Sequence, residues 1–521
     1  MRGFCGSTRL SIAHTDLRPG LLSGVCAASM IALLSAAPAA RAAVIHVVDV
    51  IPNGASAETG QNSEPSLAVD PLDPTQMISG TFSSSFVGNQ VTSPFWKSTN
   101  GGTTWSGFGS LTSVDKSLAW RQDGVAALAV TQTLNNGLTQ PSSFNTFQSG
   151  ATNFGAAINT FNPGQTLDQP WIRTGASGKT YEAYNNLSNA GGRTASIRVS
   201  SDNGATFASP VTLETVNPAG GQDAPSVRQA VNGSTVYAAF TRWGAVTEND
   251  ANGVRFGNSQ VVVAKSTNSG ASFSAGTTAA TTTGYFANTS NTPLTLGQER
   301  TGSDVAIAVD PNNANHVVVA YGDAPGANGS GLLQLHVAES TDGGTTWTNK
   351  FTTSSAVRSA LPALSILDNG DIGLLYASFD PIANKLSQHL VTTTNDFVTT
   401  DDSLLGTESN TTPSRDFSPY LGDFYDLTSV SNTFYGIFSA SNFDDGINAL
   451  FPDAGYQRCF TGTAGTGSFA LCDNNGNRVN FSIDPYVFSF NLQAPSVPEP
   501  GTLALLGTAL LGLAALRRRR T

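Results

Sequence analysis

Ser98-Thr99-Asn100-Gly101-Gly102-Thr103-Thr104-Trp105 is an octapeptide that returns three more times along this 521-residue chain. The second copy is Ser200-Ser201-Asp202-Asn203-Gly204-Ala205-Thr206-Phe207 and the third is Ser266-Thr267-Asn268-Ser269-Gly270-Ala271-Ser272-Phe273. The fourth reads Ser340-Thr341-Asp342-Gly343-Gly344-Thr345-Thr346-Trp347, and weaker relatives stand at Thr146–Phe154 and Thr392–Phe397. Each position has a mechanical role. The Asn or Asp accepts turn N–H groups and tolerates a left-handed backbone, and glycine supplies positive φ. The closing aromatic tucks the hairpin onto the sheet beneath it.

A looser repeat surrounds the octapeptides. Pro65-Ser66-Leu67-Ala68-Val69-Asp70 introduces Gln76-Met77-Ile78-Ser79, and the rhythm returns at Lys116–Val130, Pro170–Tyr184 and Pro225–Phe240. It comes again at Val305–Tyr321, Pro362–Tyr376 and Pro419–Phe438. Each reads as an apolar strand, a polar turn and a second apolar strand. The starts are separated by 51, 54, 55, 80, 57 and 57 residues. Sparse charge and abundant turn residues exclude a helical body. Seven near-equal units, each long enough for a four-stranded sheet, predict an all-β propeller.

The octapeptides resemble the Asp-box, or BNR repeat, of sialidase-like β-propellers. Sialidases proper have six blades, which is the competing count. The wide gap in unit four predicts a loop insertion around Gly276–Gln298. Six Asp-box-like turns fit one per unit except the last. The lone strand Val44–Ile51 is expected to pair with the final blade and remove an exposed edge, and Arg478–Leu492 reads as another strand of that blade.

The two ends carry addresses. Arg2, Arg9 and Arg18 precede the apolar Leu21–Ala36, and Ala40-Arg41-Ala42 suits a signal-peptidase cut before Ala43. At the other end Pro498, Glu499 and Pro500 precede the apolar run Gly501–Leu516, and Arg517, Arg518, Arg519 and Arg520 follow. Thr502–Leu516 spans roughly 22 Å as a helix, short of the roughly 30 Å hydrocarbon core. Four arginines favour the cytoplasmic side and leave the body outside the inner membrane. This tail resembles the PEP-CTERM sorting signal, whose partner exosortase, a membrane protease, is implied to cut near the Pro-Glu-Pro. The expected organisation is a signal peptide over 1–42, a propeller over 43–493 and a sorting segment over 494–521. Before processing, the C-terminal helix is the only membrane contact.

Between Ala43 and Pro500, 18 Lys and Arg face 36 Asp and Glu, a net charge near −18. Such a surface repels nucleic acid and excludes it as a partner. Cys459 and Cys472 remain after export, and the oxidising setting predicts a disulfide worth on the order of 3 kcal/mol. The histidines are scattered, with no metal-ligand spacing.

In a propeller the innermost strands surround the axis, so the residues just before them line one mouth. Those positions hold Glu64, Asp115, Asp168 with Gln169, Asp223, Asp304 and Asp416, with Arg300, Arg358 and Arg415 nearby. Interleaved acids and arginines suit a polar or anionic sugar, and paired carboxylates suit glycoside hydrolysis. They equally suit mutual pairing or a structural Ca²⁺. Carried over from sialidases, the arginine trio is Arg300, Arg358 and Arg415. The catalytic candidates are Glu299 with Tyr420 or Tyr425, and Asp304. The family's first arginine motif is missing, because Ala43–Leu67 holds no arginine. Tyr420-Leu421-Gly422-Asp423-Phe424-Tyr425-Asp426-Leu427 resembles a last-blade motif of secreted BNR-repeat proteins and reads either as a sugar-stacking cluster or as core. Three functions follow: a glycan- or exopolysaccharide-binding surface protein, a sialidase-like glycoside hydrolase or a polysaccharide lyase using the mouth carboxylates and arginines, and a Ca²⁺-stabilised matrix component.

Overall fold

The computed structural model describes residues 45–51, 62–83, 92–134, 142–188, 193–216, 227–249, 254–287, 304–326, 331–383, 385–409, 421–441, 456–460, 469–473, 478–479 and 483–492. The chain divides into two units, Ile45–Gln493 and the two terminal stretches together. The terminal unit, with its leader and sorting segment, lies outside the described residues.

Ile45–Gln493 forms seven four-stranded antiparallel sheets. Their innermost strands are Asn62–Val69, Lys116–Trp120, Leu167–Thr174, Arg228–Asn232, Val305–Asp310, Arg358–Ile366 and Asp426–Val430. In blades 1 to 6 the four strands follow one another along the chain. Blade 7 is built differently. Its third strand, Ile483–Phe490, pairs with His46–Asp49 from the start of the body, in antiparallel register with Val48 opposite Val487. The ring is closed by two distant chain segments, as the lone N-terminal strand predicted. It also explains the missing seventh octapeptide: blade 7 has no hairpin between its third and fourth strands.

Seven apolar clusters hold the ring, one at each blade interface. In blade 4, Val236, Ala238 and Phe240 pack with blade 3, while Tyr237 and Ala239 pack with blade 5. Inner strands are thus buried on both faces, which is why runs such as Val317–Ala320 and Val261–Ala264 are continuously apolar rather than alternating. Among the described residues all regular structure is β, and no helix is long and apolar enough to cross a membrane.

Two strand expectations change. The extra length of blade 4 goes into long strands, Thr235–Asn249, Val254–Ser266 and the outermost Thr277–Ala287. Gly276–Gln298 is therefore not simply a loop insertion; its later part, 288–298, lies outside the described residues. Arg478–Leu492 is not one strand either. Arg478–Val479 joins Phe469–Asp473 and Tyr456–Phe460 in a small sheet inserted before Ile483–Phe490. In that small sheet Cys459 stands opposite Ala470 and Cys472 opposite Gln457.

The octapeptides behave as their chemistry dictates. In the first, the Ser98 hydroxyl accepts from the Gly102 N–H at 2.9 Å, and Asn100 Oδ1 accepts from the Thr104 N–H at 3.0 Å. The same pair of contacts recurs from Ser200 and Asp202, from Ser266 and Asn268, and from Ser340 and Asp342. Hydrogen bonds from the Thr346 backbone and hydroxyl hold the Asp342 carboxyl down to about 2. Trp105 and Trp347 each donate Nε1–H to the turn's own glycine carbonyl. In blade 6, Thr393 and Asn395 make the same contacts with Phe397 in the glycine position. The weaker relative of blade 2 is a tighter turn, closed by Gly150 N–H to Asn153 O.

Each turn also reaches back to the preceding blade. The Gly344 carbonyl of blade 5 accepts from Thr277 Oγ1 of blade 4 at 2.6 Å, and the Ala205 carbonyl of blade 3 accepts from Asn159 of blade 2. Gly270 has φ +79, and a Cβ there would stand 2.8 Å from Val199 of blade 3. Gly101 has φ +72 and open space around it. Gly101→Ala therefore costs only conformational energy, about 1–2 kcal/mol. Gly270→Ala adds a collision between blades and costs about 1–3 kcal/mol more. Thermal denaturation of the two variants side by side measures the difference; equal losses would remove the inter-blade role of this turn.

Candidate functional site

The first strands of blades 1, 3 and 6 share a feature at the axis. Glu64, Gln169 and Leu361 have φ of 50, 54 and 59, and each precedes a proline. The pairing register shifts between Ser63 and Ser66, between Asp168 and Trp171, and between Ala360 and Ala363. Proline has no N–H for the ladder, so the strand bulges and re-aims its side chains. Bulged strands bring polar groups to the axis that a regular strand would direct into the neighbouring blades.

There the groups pair across blades. Lys116 Nζ donates to the Glu64 carbonyl at 2.7 Å, and the Gln169 N–H donates to Asp115 Oδ2 at 3.3 Å. Arg228 donates to Gln169 Oε1 at 3.2 Å and to Asp304 Oδ1 at 3.3 Å. Arg173 of blade 3 reaches Asp426 of blade 7 at 3.0 Å, and Asp426 also accepts from the Ser66 hydroxyl. The Arg173–Asp426 contact crosses the ring.

Phe424 crosses it too. Its ring meets Trp171 edge-on at 5.2 Å, with Arg228 and Lys116 within 5.6 and 5.8 Å of its centroid. The Arg228 and Arg173 guanidinium groups lie 4.2 and 4.8 Å from the Trp171 centroid. Leu421, Asp423, Phe424, Tyr425 and Asp426 are all at most 2 % exposed. Gly422, at φ +96, lets this loop press on the Glu64 backbone, where a Cβ would stand 2.5 Å from the amide nitrogen. The described part of the motif, 421–427, is thus buried against the axis and packs as core.

Beside this segment lies a small cavity of about 20 Å³, room for roughly one water-sized group, lined chiefly by the first strands of blades 3 to 7. Trp171, Arg173, Arg228, Gln229, Pro362 and Asp426 contribute to its wall. Arg228 is 4 % exposed, and its Nη1 has no hydrogen-bond partner among the described residues. Gln229 uses its amide N–H groups on the Trp171 and Tyr181 carbonyls, while its Oε1 is also unpartnered. A buried donor and a buried acceptor without partners are costly unless a ligand or water meets them.

Among the candidates read from sequence, Glu64, Asp115 and Asp304 are buried and brought to the axis. Asp168 and Arg358 are half-buried. Tyr425 is buried, with its hydroxyl donating to the Ser439 carbonyl at 3.2 Å. Asp223, Glu299, Arg300, Arg415, Asp416 and Tyr420 lie outside the described residues. The basic groups that do gather are Lys116, Arg173 and Arg228. Their one sequence signal was a cation within the first strand of a blade.

Burial pushes the Lys116 ammonium down to about 8, opposed by the nearby charges of Glu64 and Asp115. The unfolded lysine holds its proton to about pH 10.4. From about pH 8 to that point the unfolded chain binds more protons, so this group's contribution to stability rises with pH. Below about 8 its burial penalty is present in full. The stability of the wild type relative to Lys116→Met should rise by about 2 kcal/mol between pH 7.5 and 9.5. Chemical denaturation at both pH values checks this; a flat difference would mean that Lys116 keeps an ordinary value.

A family model described as the PEP-CTERM protein-sorting motif matches residues 496–520. The match contains the Pro-Glu-Pro and all four arginines, and it marks the chain for export and for cell-surface or extracellular placement. No curated protein matches the sequence. Among solved structures, the chain is similar to an α-L-arabinofuranosidase of Fusarium graminearum, at 11% identity over 66% of this chain and 94% of that one, with a TM-score of 0.40. A PL25 ulvan lyase is 12% identical over 73% and 91%, at 0.43. The sialidase of Trypanosoma rangeli is 11% identical over 65% and 56%, at 0.36. At these values none of the three bears on the chemistry of this chain.

Proposed function

We propose that the protein is an exported, exosortase-processed β-propeller of the cell surface or extracellular matrix that binds a glycan or exopolysaccharide at the mouth of its central funnel, with the small cavity at Arg228 taking one polar group of the ligand. The observation that carries this reading is Arg228 Nη1, a buried cationic donor without a partner in the cavity wall. Gln229 Oε1 supplies an acceptor beside it, so the wall offers a cationic donor and an acceptor to one polar or acidic group of a sugar. The acids at the axis are already engaged. Asp426 and Asp304 face arginines, which leaves them poorly placed for general acid or nucleophile work and lessens their attraction for Ca²⁺.

The test uses the purified full-length chain in mild detergent against immobilised neutral and acidic polysaccharides. Retention on at least one without release of reducing sugar is expected. Sugar release would install the glycosidase reading instead. Neither retention nor release, with a melting temperature that EDTA lowers and that Ca²⁺ but not Zn²⁺ restores, would favour the Ca²⁺-stabilised matrix reading. For the address, mass spectrometry of the surface-retained form should find no peptide beyond about Pro500. Persistence of Leu503–Arg517 would make the tail an anchor.

A further inference from the structure

A second cluster of chemistry-bearing side chains lies away from the axis, where blades 5 and 6 meet. His316 and Glu339 sit on neighbouring strands of blade 5, Asn313–Asp323 and Gln334–Ser340. Asp396 belongs to the turn of blade 6, which reaches back onto blade 5 as the other turns do onto their predecessors. It occupies the fourth position of that turn, held by Gly101, Asn203, Ser269 and Gly343 in the clean copies, and shares their positive φ. Only here does that position carry an acid.

His316 Nδ1 lies 3.2 Å from Asp310 Oδ2, and Nε2 lies 2.9 Å from Glu339 Oε1 and 3.9 Å from Asp396 Oδ1. Both ring nitrogens therefore face carboxylates, yet a neutral imidazole has only one N–H. If Asp310 takes that proton, the Nε2 lone pair points at two anionic oxygens. Lys350 Nζ, at 2.7 Å, is bound to the other oxygen of Glu339 and leaves Oε1 free to turn inward. Three carboxylates against one ammonium leave the neutral-ring cluster two negative charges in excess.

We infer that His316 Nε2, Glu339 Oε1 and Asp396 Oδ1 form a binding site for a divalent transition-metal cation, with Zn²⁺ the natural occupant. The three ligand atoms lie within 4.8 Å of one another, close enough for one ion to reach all three with small side-chain movements. One imidazole nitrogen with two carboxylate oxygens selects Zn²⁺ and its neighbours over Ca²⁺, which takes six to eight oxygens. Asp310 on Nδ1 is the outer-shell carboxylate that orients a metal-bound histidine and fixes its tautomer. His316 and Glu339 are buried while the Asp396 side chain is 51 % exposed, so the ion has a path in and water can complete its coordination. Bound there, it staples two blades at their outer part.

The full-length chain, stripped with EDTA and dialysed, is titrated with Zn²⁺ alone by calorimetry, and its melting temperature is followed. One saturable equivalent and a rise in melting temperature are expected. Asp396→Asn, at an exposed position that leaves the fold intact, should weaken binding at least about tenfold, and Asp310→Asn about ten- to hundredfold. Co²⁺ in place of Zn²⁺ should give visible d–d absorption that His316→Gln abolishes. Zinc binding identical in wild type and Asp396→Asn, or no saturable binding, would overturn the site and leave His316 as a hydrogen-bonding bridge between Asp310 and Glu339.

Discussion

Arg198→Ala should lower the stability of the propeller by about 3–5 kcal/mol, the range for breaking a buried ion pair on one side. Arg198 and Glu182 lie opposite each other on adjacent strands of blade 3, 3 % and 0 % exposed. The guanidinium grips the carboxylate through two bonds, Nε to Oε1 at 2.8 Å and Nη2 to Oε2 at 2.9 Å. Its third arm donates to Asn159 of blade 2, and its face lies over Phe161 and Phe207, 4.4 and 4.0 Å from their centroids. Removing the arginine strands a carboxylate out of water and opens space between two aromatic rings. Glu182→Gln leaves an uncompensated cation and should cost a similar amount. The double replacement by leucine removes both charges and should cost much less than the sum. Chemical denaturation of the two singles and the double gives the coupling directly. A single-variant loss below about 1 kcal/mol would mean that the pair is effectively solvated.

Arg228→Lys should reduce retention on the bound polysaccharide about ten- to hundredfold, the equivalent of losing one hydrogen bond to a charged or polar ligand group. Lysine keeps the positive charge beside Asp304, so that carboxylate is not left bare. It lacks the planar fork, and cannot serve Gln169, Asp304 and a ligand from one rigid group. The stacking on Trp171 is also lost, which predicts a modest fall in melting temperature alongside the loss of binding. Circular dichroism establishes that the variant is folded, and affinity electrophoresis on the retained polysaccharide gives the binding change. Unchanged retention by a folded Arg228→Lys chain would remove the central cavity from the binding reading while leaving the propeller untouched.

The parts of the fold that were legible are those whose cause is local. Ser98, Asn100, Gly102 and Trp105 satisfy one another within eight residues, so their hydrogen bonds could be read from spacing alone. Even the missing seventh turn was visible, although its reason, a blade completed by His46–Asp49, needed the closed ring. The site was far less legible. The mouth acids do reach the axis, but Asp115 and Asp304 as partners of Gln169 and Arg228, while Glu64 offers Lys116 its backbone carbonyl. Arg173 meets Asp426 across 253 residues of chain, and Asp396 meets His316 across 80. No periodicity records such pairs, because each blade positions its side chains by its own register and the ring then brings them together.

By itself the sequence determined an all-β chain of seven repeated units, its turns, and a C-terminal address that a sorting-motif match supports over residues 496–520. These follow from interactions between near neighbours, or from a linear signal that is read without folding. Only the tertiary structure decided which cations stand at the axis, that Phe424 packs against Trp171 there, and that Arg228 Nη1 is left without a partner among the described residues. It also decided that a histidine of blade 5 meets an acid from the turn of blade 6. The physical reason is closure. Once the first and last strands of the body share a sheet, groups that are far apart in the chain face one another across an axis only a few side chains wide.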